Sequence, residues 1–403
     1  MRNLFRSRGI YLLLTLSMLW SCDFDRDDDV PEPEPDNHFV SSTYIGEFPK
    51  EVLQALALAS PENRDFASVV QYDVEFYRIN YTTQYKGEEV EASGLLAVPQ
   101  NTPAVPGLVS AQHGTMFKDS DAPSNFPNTF SGFELIGAAG YITVVPDFIG
   151  YGTTSDIFHP YYDEEHSAQT VVDMLKAAKY FLNEEKIATN GNLFLVGYSE
   201  GGYVTLAAQK EIEENPDHDL SLTAVAAGAG GYDLTLMMQE IVATPSYADP
   251  AFLPFIVQSY NTTYGWNRPL TDFFQEPYAT KIPSLFDGTK IREEINSELP
   301  NAPASLFTPD FYAALQNPAE ETALKEAIAG NSLLDWVPET PTRLYHGTDD
   351  EAVFYSTTVS AYEAFTAEGS TSVELVPIPG GMHRTSITPM MLDVLTWFNS
   401  LNQ

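Results

Sequence analysis

The stretch FLVGYSEGG, residues Phe194 to Gly202, carries an apolar run straight into a serine bracketed by glycines. The pattern is G-x-S-x-G, with Gly197 and Gly201 either side of Ser199 and Gly202 next door. From average Gly and Ser usage it arises by chance in roughly one of seven or eight chains this long. Its surroundings therefore carry the argument. Asn192 to Val196 reads as a short buried strand, and Tyr203 to Ile212 as a helix. A serine between the two sits on a sharp turn that lifts its hydroxyl above the sheet edge. There the residues two before and two after crowd each other, so glycine at both answers a steric need. The helix start adds backbone N–H groups and a partial positive charge beside the serine.

Outward from that turn, strands and helices alternate. Towards the C-terminus come strands at Leu222–Ala227, Thr342–Tyr345 and Val373–Ile378. A final helix follows at Pro389–Leu401, with Thr388 as its expected N-cap. Towards the N-terminus lie strands at Val105–Ala111 and Tyr141–Val145, with helices at Thr129–Ala139 and Glu165–Leu182. Before them, Tyr72–Tyr81 and Val90–Val98 flank the turn Lys86-Gly87 and read as an antiparallel pair. This grammar belongs to the α/β class, a mostly parallel sheet covered on both faces. One segment departs from it. Residues 232–339 offer no clean strand and are rich in aromatics, among them Phe252, Phe255, Tyr260, Phe273 and Phe274. An insertion of that size is expected to form its own helical subdomain over the sheet, with aromatics filling its core and lining an apolar pocket.

Composition narrows the function classes. The 403 residues are 43% hydrophobic, enough for a large core, and carry 20 Lys plus Arg against 56 Asp plus Glu. A net charge of −36 repels nucleic acid and anionic membranes. Arg2, Arg6 and Arg8 precede an apolar run from Ile10 to Trp20, too short to span a bilayer, so residues 1–21 read as a signal peptide. Leu19-Trp20-Ser21-Cys22 resembles the lipobox of bacterial lipoproteins, which implies acyl chains on Cys22, the single cysteine of the chain. Residues 22–38, acidic and Pro-rich, read as a disordered tether. An acidic run behind a lipidated cysteine resembles the surface-export signal of Bacteroidetes lipoproteins. The implied location is the outer membrane, reached only through the lipid anchor; a periplasmic or secreted protein is the alternative. Residues 39–231 and 340–403 then form the two parts of the folded core.

A serine hydroxyl needs a base, and the base an orienting acid. Of seven histidines, only His383, in the glycine-bearing loop PGGMHRTS, follows the last strand, where this chain order places the base. The acid is expected after the strand Thr342–Tyr345, where YHGTDDEAV offers Asp350 first and Asp349 as the alternative; Asp233 is a more remote source. An acyl transfer also needs N–H donors for the developing oxyanion. One is expected from Glu200, the residue after the serine. The other should come from the loop SAQHGTM, with Thr115 the first choice and Gly114 the second; His113 reads as a side chain shaping that loop. No histidine pair has metal-ligand spacing, and no Gly-rich loop suits a dinucleotide or phosphate, so no metal and no cofactor is expected.

Together AQHGT, VVPDFIGYG, HPY, GYSEGG, the long insertion, HGTDD and the late GGMH resemble α/β-hydrolases of the secretory lipase and esterase group. The resemblance covers most of the chain after residue 38. It implies the α/β-hydrolase fold, a large helical lid at 232–339, Asp350 as the residue aligned with the H-G-x-x-D acid loop, and supporting roles for Asp147 and Tyr151. It also implies hydrolysis of carboxylic esters, from a small-molecule, lipid or glycan substrate. A serine peptidase with the same triad is the alternative, with Glu200 as a candidate partner for a substrate amine. A polysaccharide acyl esterase is a subclass of the first reading, and a binding protein on an inactive hydrolase fold the third.

Overall fold

The computed structural model describes residues 37–402. The expected signal segment, Cys22 and nearly all of the acidic tether lie outside the described residues. Nine strands make one sheet: β1 (Phe39–Phe48), β2 (Val74–Tyr85), β3 (Glu88–Pro99), β4 (Leu108–Gln112), β5 (Ile142–Pro146), β6 (Leu193–Tyr198), β7 (Ala224–Gly228), β8 (Thr342–Gly347) and β9 (Val373–Ile378). Their spatial order is β1-β2-β3-β5-β4-β6-β7-β8-β9. β1, β2, β3 and β5 pair antiparallel in that order. Every pairing from β5 through β4 to β9 is parallel. The architecture is therefore the α/β arrangement read from the sequence. The N-terminal pair is present as β2 and β3, each longer than expected, and β1 adds a third antiparallel strand.

The order reverses at β4. The chain leaves β4 for β5 on one side, then crosses to β6 on the other. Loops leaving β4 and β6 diverge at that point and open a crevice at the carboxyl ends of the strands, where ligands of open α/β sheets bind. β6 shows how the sequence fixes the layers. Leu193 and Leu195 face the core built with the helices Glu164–Glu184 and Glu200–Glu214. Phe194, Val196 and Tyr198 face the other, built with Lys50–Ala59 and Ile387–Leu401. A strand buried on both faces needs an unbroken apolar run, and β6 supplies one.

Between β7 and β8 the described chain carries seven α-helices, from Leu234–Ala243 to Thr322–Gly330. Phe252, Phe255, Tyr260, Phe273 and Phe274 are buried among them. Two local expectations are corrected. The helix placed at Thr129–Ala139 is only Glu134–Ala138. The buried Glu134 carboxylate turns back to accept from Ser131 N and Gly132 N at 3.1 and 2.7 Å, so the preceding residues form a loop instead of a first turn. The final helix begins at Ile387 after Ser386, so Thr388 is inside the helix and is not its cap.

Candidate active site

Ser199 sits between β6 and the helix Glu200–Glu214 with φ +61° and ψ −129°. This is a strained backbone for a residue with a Cβ. It is held from both sides: Ser199 N donates to Gly228 O of β7 at 2.8 Å, and Gly202 N donates to Ser199 O at 2.9 Å. A Cβ on Gly197 would collide with Gly201 O, and one on Gly201 with Gln112 O and His113 O. The crowding inferred from the spacing is real, and the structure adds a second cause. The helix start is pressed against the end of β4, which brings the loop after β4 beside the serine.

The expected side chains converge. His383 Nε2 lies 2.8 Å from Ser199 Oγ, and His383 Nδ1 lies 2.6 Å from Asp350 Oδ2. Tyr198 Oη donates to the His383 carbonyl at 2.6 Å, tying the late loop to the turn. Asp350 is buried and accepts four contacts. His383 and His346 reach Oδ2 at 2.6 and 3.2 Å, and Ala352 N and Val353 N donate to Oδ1 at 2.9 and 3.0 Å. Burial alone would raise this carboxyl's pKa, but the hydrogen bonds and charge of His346 and His383 outweigh it. The carboxyl is held well below the ordinary range. Asp349 is exposed, and among the described residues its side chain accepts only from its neighbour Thr348. Asp233 caps the helix Leu234–Ala243 by accepting from Leu236 N. Neither of these two carboxylates is the one that meets His383. The assembly can pass a proton from a serine hydroxyl to an imidazole whose far nitrogen is fixed by a carboxylate.

The loop after β4 is braced from the segment that follows β5. His113 is buried, stacks on Phe148 at 4.0 Å, and reaches Asp147 O at 3.1 Å. Tyr151 Oη donates to Met116 O, and Thr115 Oγ1 donates to Tyr161 Oη at 3.2 Å. Asp147 is held in turn by Ser93 Oγ at 2.5 Å and Ser124 N at 2.8 Å. A Cβ on Gly114 would stand 3.3 Å from Tyr198 O and 3.5 Å from Ser199 Cβ, so this backbone runs directly against the serine. The backbone N–H groups of Glu200, Gly114 and Thr115 find no acceptor among the described residues. The Glu200 side chain is buried and pairs with His159 Nε2 at 2.6 Å. It does not line the cleft, so it offers nothing to a substrate amine.

Ser199 and His383 open into a cleft of about 710 Å³. Its lining includes the apolar Phe66, Phe133, Ile136, Met391 and Leu395 and the charged Glu62, Glu293 and Arg384. Arg384 bridges the two glutamates at 2.9 and 3.0 Å. A second, apolar cavity of about 80 Å³ lies between the helical insertion and Tyr161 and Tyr162 and shares Phe252 with the cleft, but Ser199 does not line it. Of these cleft walls only Phe252 was singled out from the sequence, as an aromatic of the insertion. Among the described residues no cluster of three or more His, Cys, Asp or Glu side chains suits a metal ion.

The secretory lipase sequence pattern matches residues 135–401. The chain belongs to the secretory lipase family. A comparison with curated proteins finds no match. Among solved structures, this secretory lipase family member is similar to a Legionella pneumophila protein proposed to be a hydrolase, at 29% identity and TM-score 0.83, covering 91% of this chain and 98% of that one. It is similar to the rice cell wall degrading esterase LipA of Xanthomonas oryzae, at 25% identity and TM-score 0.77, covering 91% and 97%. Candida antarctica lipase A in its closed state shares the fold at 14% identity and TM-score 0.64, covering 91% and 83%. The family and these neighbours support an ester-hydrolysing enzyme.

Proposed function

We propose that this protein is a serine carboxylesterase that works through an acyl-enzyme on Ser199, with His383 as base and then acid and Asp350 holding the imidazole. The observation that carries the reading is the unbroken relay Ser199 Oγ, His383 Nε2, His383 Nδ1, Asp350 Oδ2, with spacings of 2.8 and 2.6 Å. Serine attack on the ester carbonyl transfers the hydroxyl proton to His383 and forms a tetrahedral oxyanion. The Glu200 N–H is one donor to that oxygen, and Thr115 or Gly114 the other. Collapse returns the proton from His383 to the leaving alcohol, and water repeats the cycle on the acyl-enzyme.

His383 must hand its proton to the leaving oxygen, and the cleft it shares with Ser199 carries both charged and apolar side chains. A hydroxylated alcohol suits the charged Arg384, Glu62 and Glu293, and the apolar lining suits the acyl group. The same charged residues favour a second reading within the class, an esterase acting on acyl groups carried by a polysaccharide. The similarity to a cell wall degrading esterase supports it. Helices 232–339 act in this proposal as the lid over the cleft. Membership of a secretory family supports export, and the lipobox-like Leu19–Cys22 supports an anchor on the outer membrane. Ser199→Ala should abolish turnover of a short p-nitrophenyl ester; turnover at the wild-type rate would remove the proposal.

A further inference from the structure

Glu200 presents a conflict that the reaction must resolve. Its backbone N–H is a donor to the oxyanion in the reading above, on which this inference rests. Its side chain is a carboxylate, 1% exposed, one residue from the nucleophile. A buried negative charge there opposes the negative charge that forms on the substrate oxygen, and low polarizability around it strengthens the opposition. No Lys or Arg reaches the carboxylate among the described residues; its polar partner is His159, with Nε2 at 2.6 Å from Oε1. The other oxygen, Oε2, has no hydrogen-bond partner among them.

The proton inventory of that contact is fixed by the second ring nitrogen. His159 Nδ1 lies 2.6 Å from Ile149 O, and a carbonyl only accepts, so Nδ1 carries hydrogen. A 2.6 Å contact between Nε2 and a carboxylate oxygen requires one more proton between them. The pair as a whole is therefore neutral, wherever that proton rests. Both residues are buried, so solvent does not screen the carboxylate if the imidazole is removed. His159 also joins the two halves of the oxyanion site, because its segment carries Tyr151 and Tyr161, which hold Met116 and Thr115.

We propose that His159 is a positioning residue that neutralises the Glu200 carboxylate and fixes the first turn of the helix Glu200–Glu214, so that the oxyanion forms against the Glu200 N–H without an opposing buried charge.

The test is a double-variant cycle with His159→Ala, Glu200→Gln and both together. Each protein is titrated with a fluorophosphonate so that kcat is expressed per reactive serine, which removes any loss due to misfolding. His159→Ala should lower kcat on the order of 10- to 100-fold with KM within about 2-fold, because only transition-state charge is affected. Adding Glu200→Gln to His159→Ala should return kcat by about 5-fold or more, since the opposing charge is then gone. Should His159→Ala fail to fold, His159→Gln, which donates to Oε1 without carrying charge, takes its place with the same two expectations. Wild-type kcat per titrated serine in the single variant, or a double variant no faster than it, overturns the proposal. A wild-type protein that the fluorophosphonate does not label would instead overturn the reading of Ser199 as nucleophile.

Discussion

The backbone at Ser199 makes a prediction whose sign runs against ordinary experience. At φ +61° and ψ −129° the residue occupies a region that suits glycine. For a residue with a Cβ such a conformation costs on the order of 1–3 kcal/mol. Ser199→Ala and Ser199→Gly both delete the hydroxyl and its 2.8 Å contact with His383, so that loss cancels between them. What remains is the strain, kept by alanine and relieved by glycine, against the extra chain entropy of glycine, about 0.5–1 kcal/mol. Taking the middle of each range leaves glycine ahead by about 1 kcal/mol, whereas in a relaxed helix or strand alanine leads by a similar amount. Guanidinium denaturation of the two inactive proteins side by side measures the difference from their midpoints at a common slope. If the alanine protein equals or exceeds the glycine protein in stability, the turn stores no strain and the argument fails.

Three further outcomes follow from the same geometry. Asp350→Asn should lower kcat by roughly 10³- to 10⁴-fold on a p-nitrophenyl ester while exposed Asp349→Asn stays within about 3-fold, and the reverse order would reassign the acid. Because the Asp350 carboxyl is held below its unfolded value, the stability it contributes is whole above about pH 4 and lost as the pH falls below that. Denaturation midpoints taken from pH 5 down to pH 2 should therefore fall less steeply in Asp350→Asn than in the wild type, and parallel slopes would refute the depressed carboxyl. Gly201→Ala would drive a Cβ into the carbonyls that end β4, and a loss of about 3 kcal/mol or more is expected in urea; a loss below 1 kcal/mol would mean the turn is loosely packed.

The residues that meet at Ser199 were legible because each travels with a local signal. Ser199 has its glycines, Asp350 follows a strand in HGTDD, and His383 stands alone after the last strand. β1 was not legible. FVSSTYIGEF has no alternation because the strand lies at the sheet edge, half-buried or exposed along its length. The helix Tyr355–Ala367 was missed for a related reason: YSTTVSAYEAFTA mixes Ser and Thr into its buried face, where Thr357 and Thr358 are fully covered. The pairing of His159 with Glu200 spans 41 positions, and no periodicity reports it. The apolar lining of the cleft combines Phe66, Phe133 and Met391 from segments that lie far apart in the chain, so only the folded sheet brings them together.

The central claim is that Ser199 is the nucleophile and His383 its base. Incubation with a fluorophosphonate, followed by mass spectrometry of the digested protein, tests it most directly. A single adduct on the peptide containing Ser199, formed at least about 100-fold more slowly in His383→Ala, is the predicted result. An adduct on another serine, or equal labelling rates in the two proteins, would contradict it.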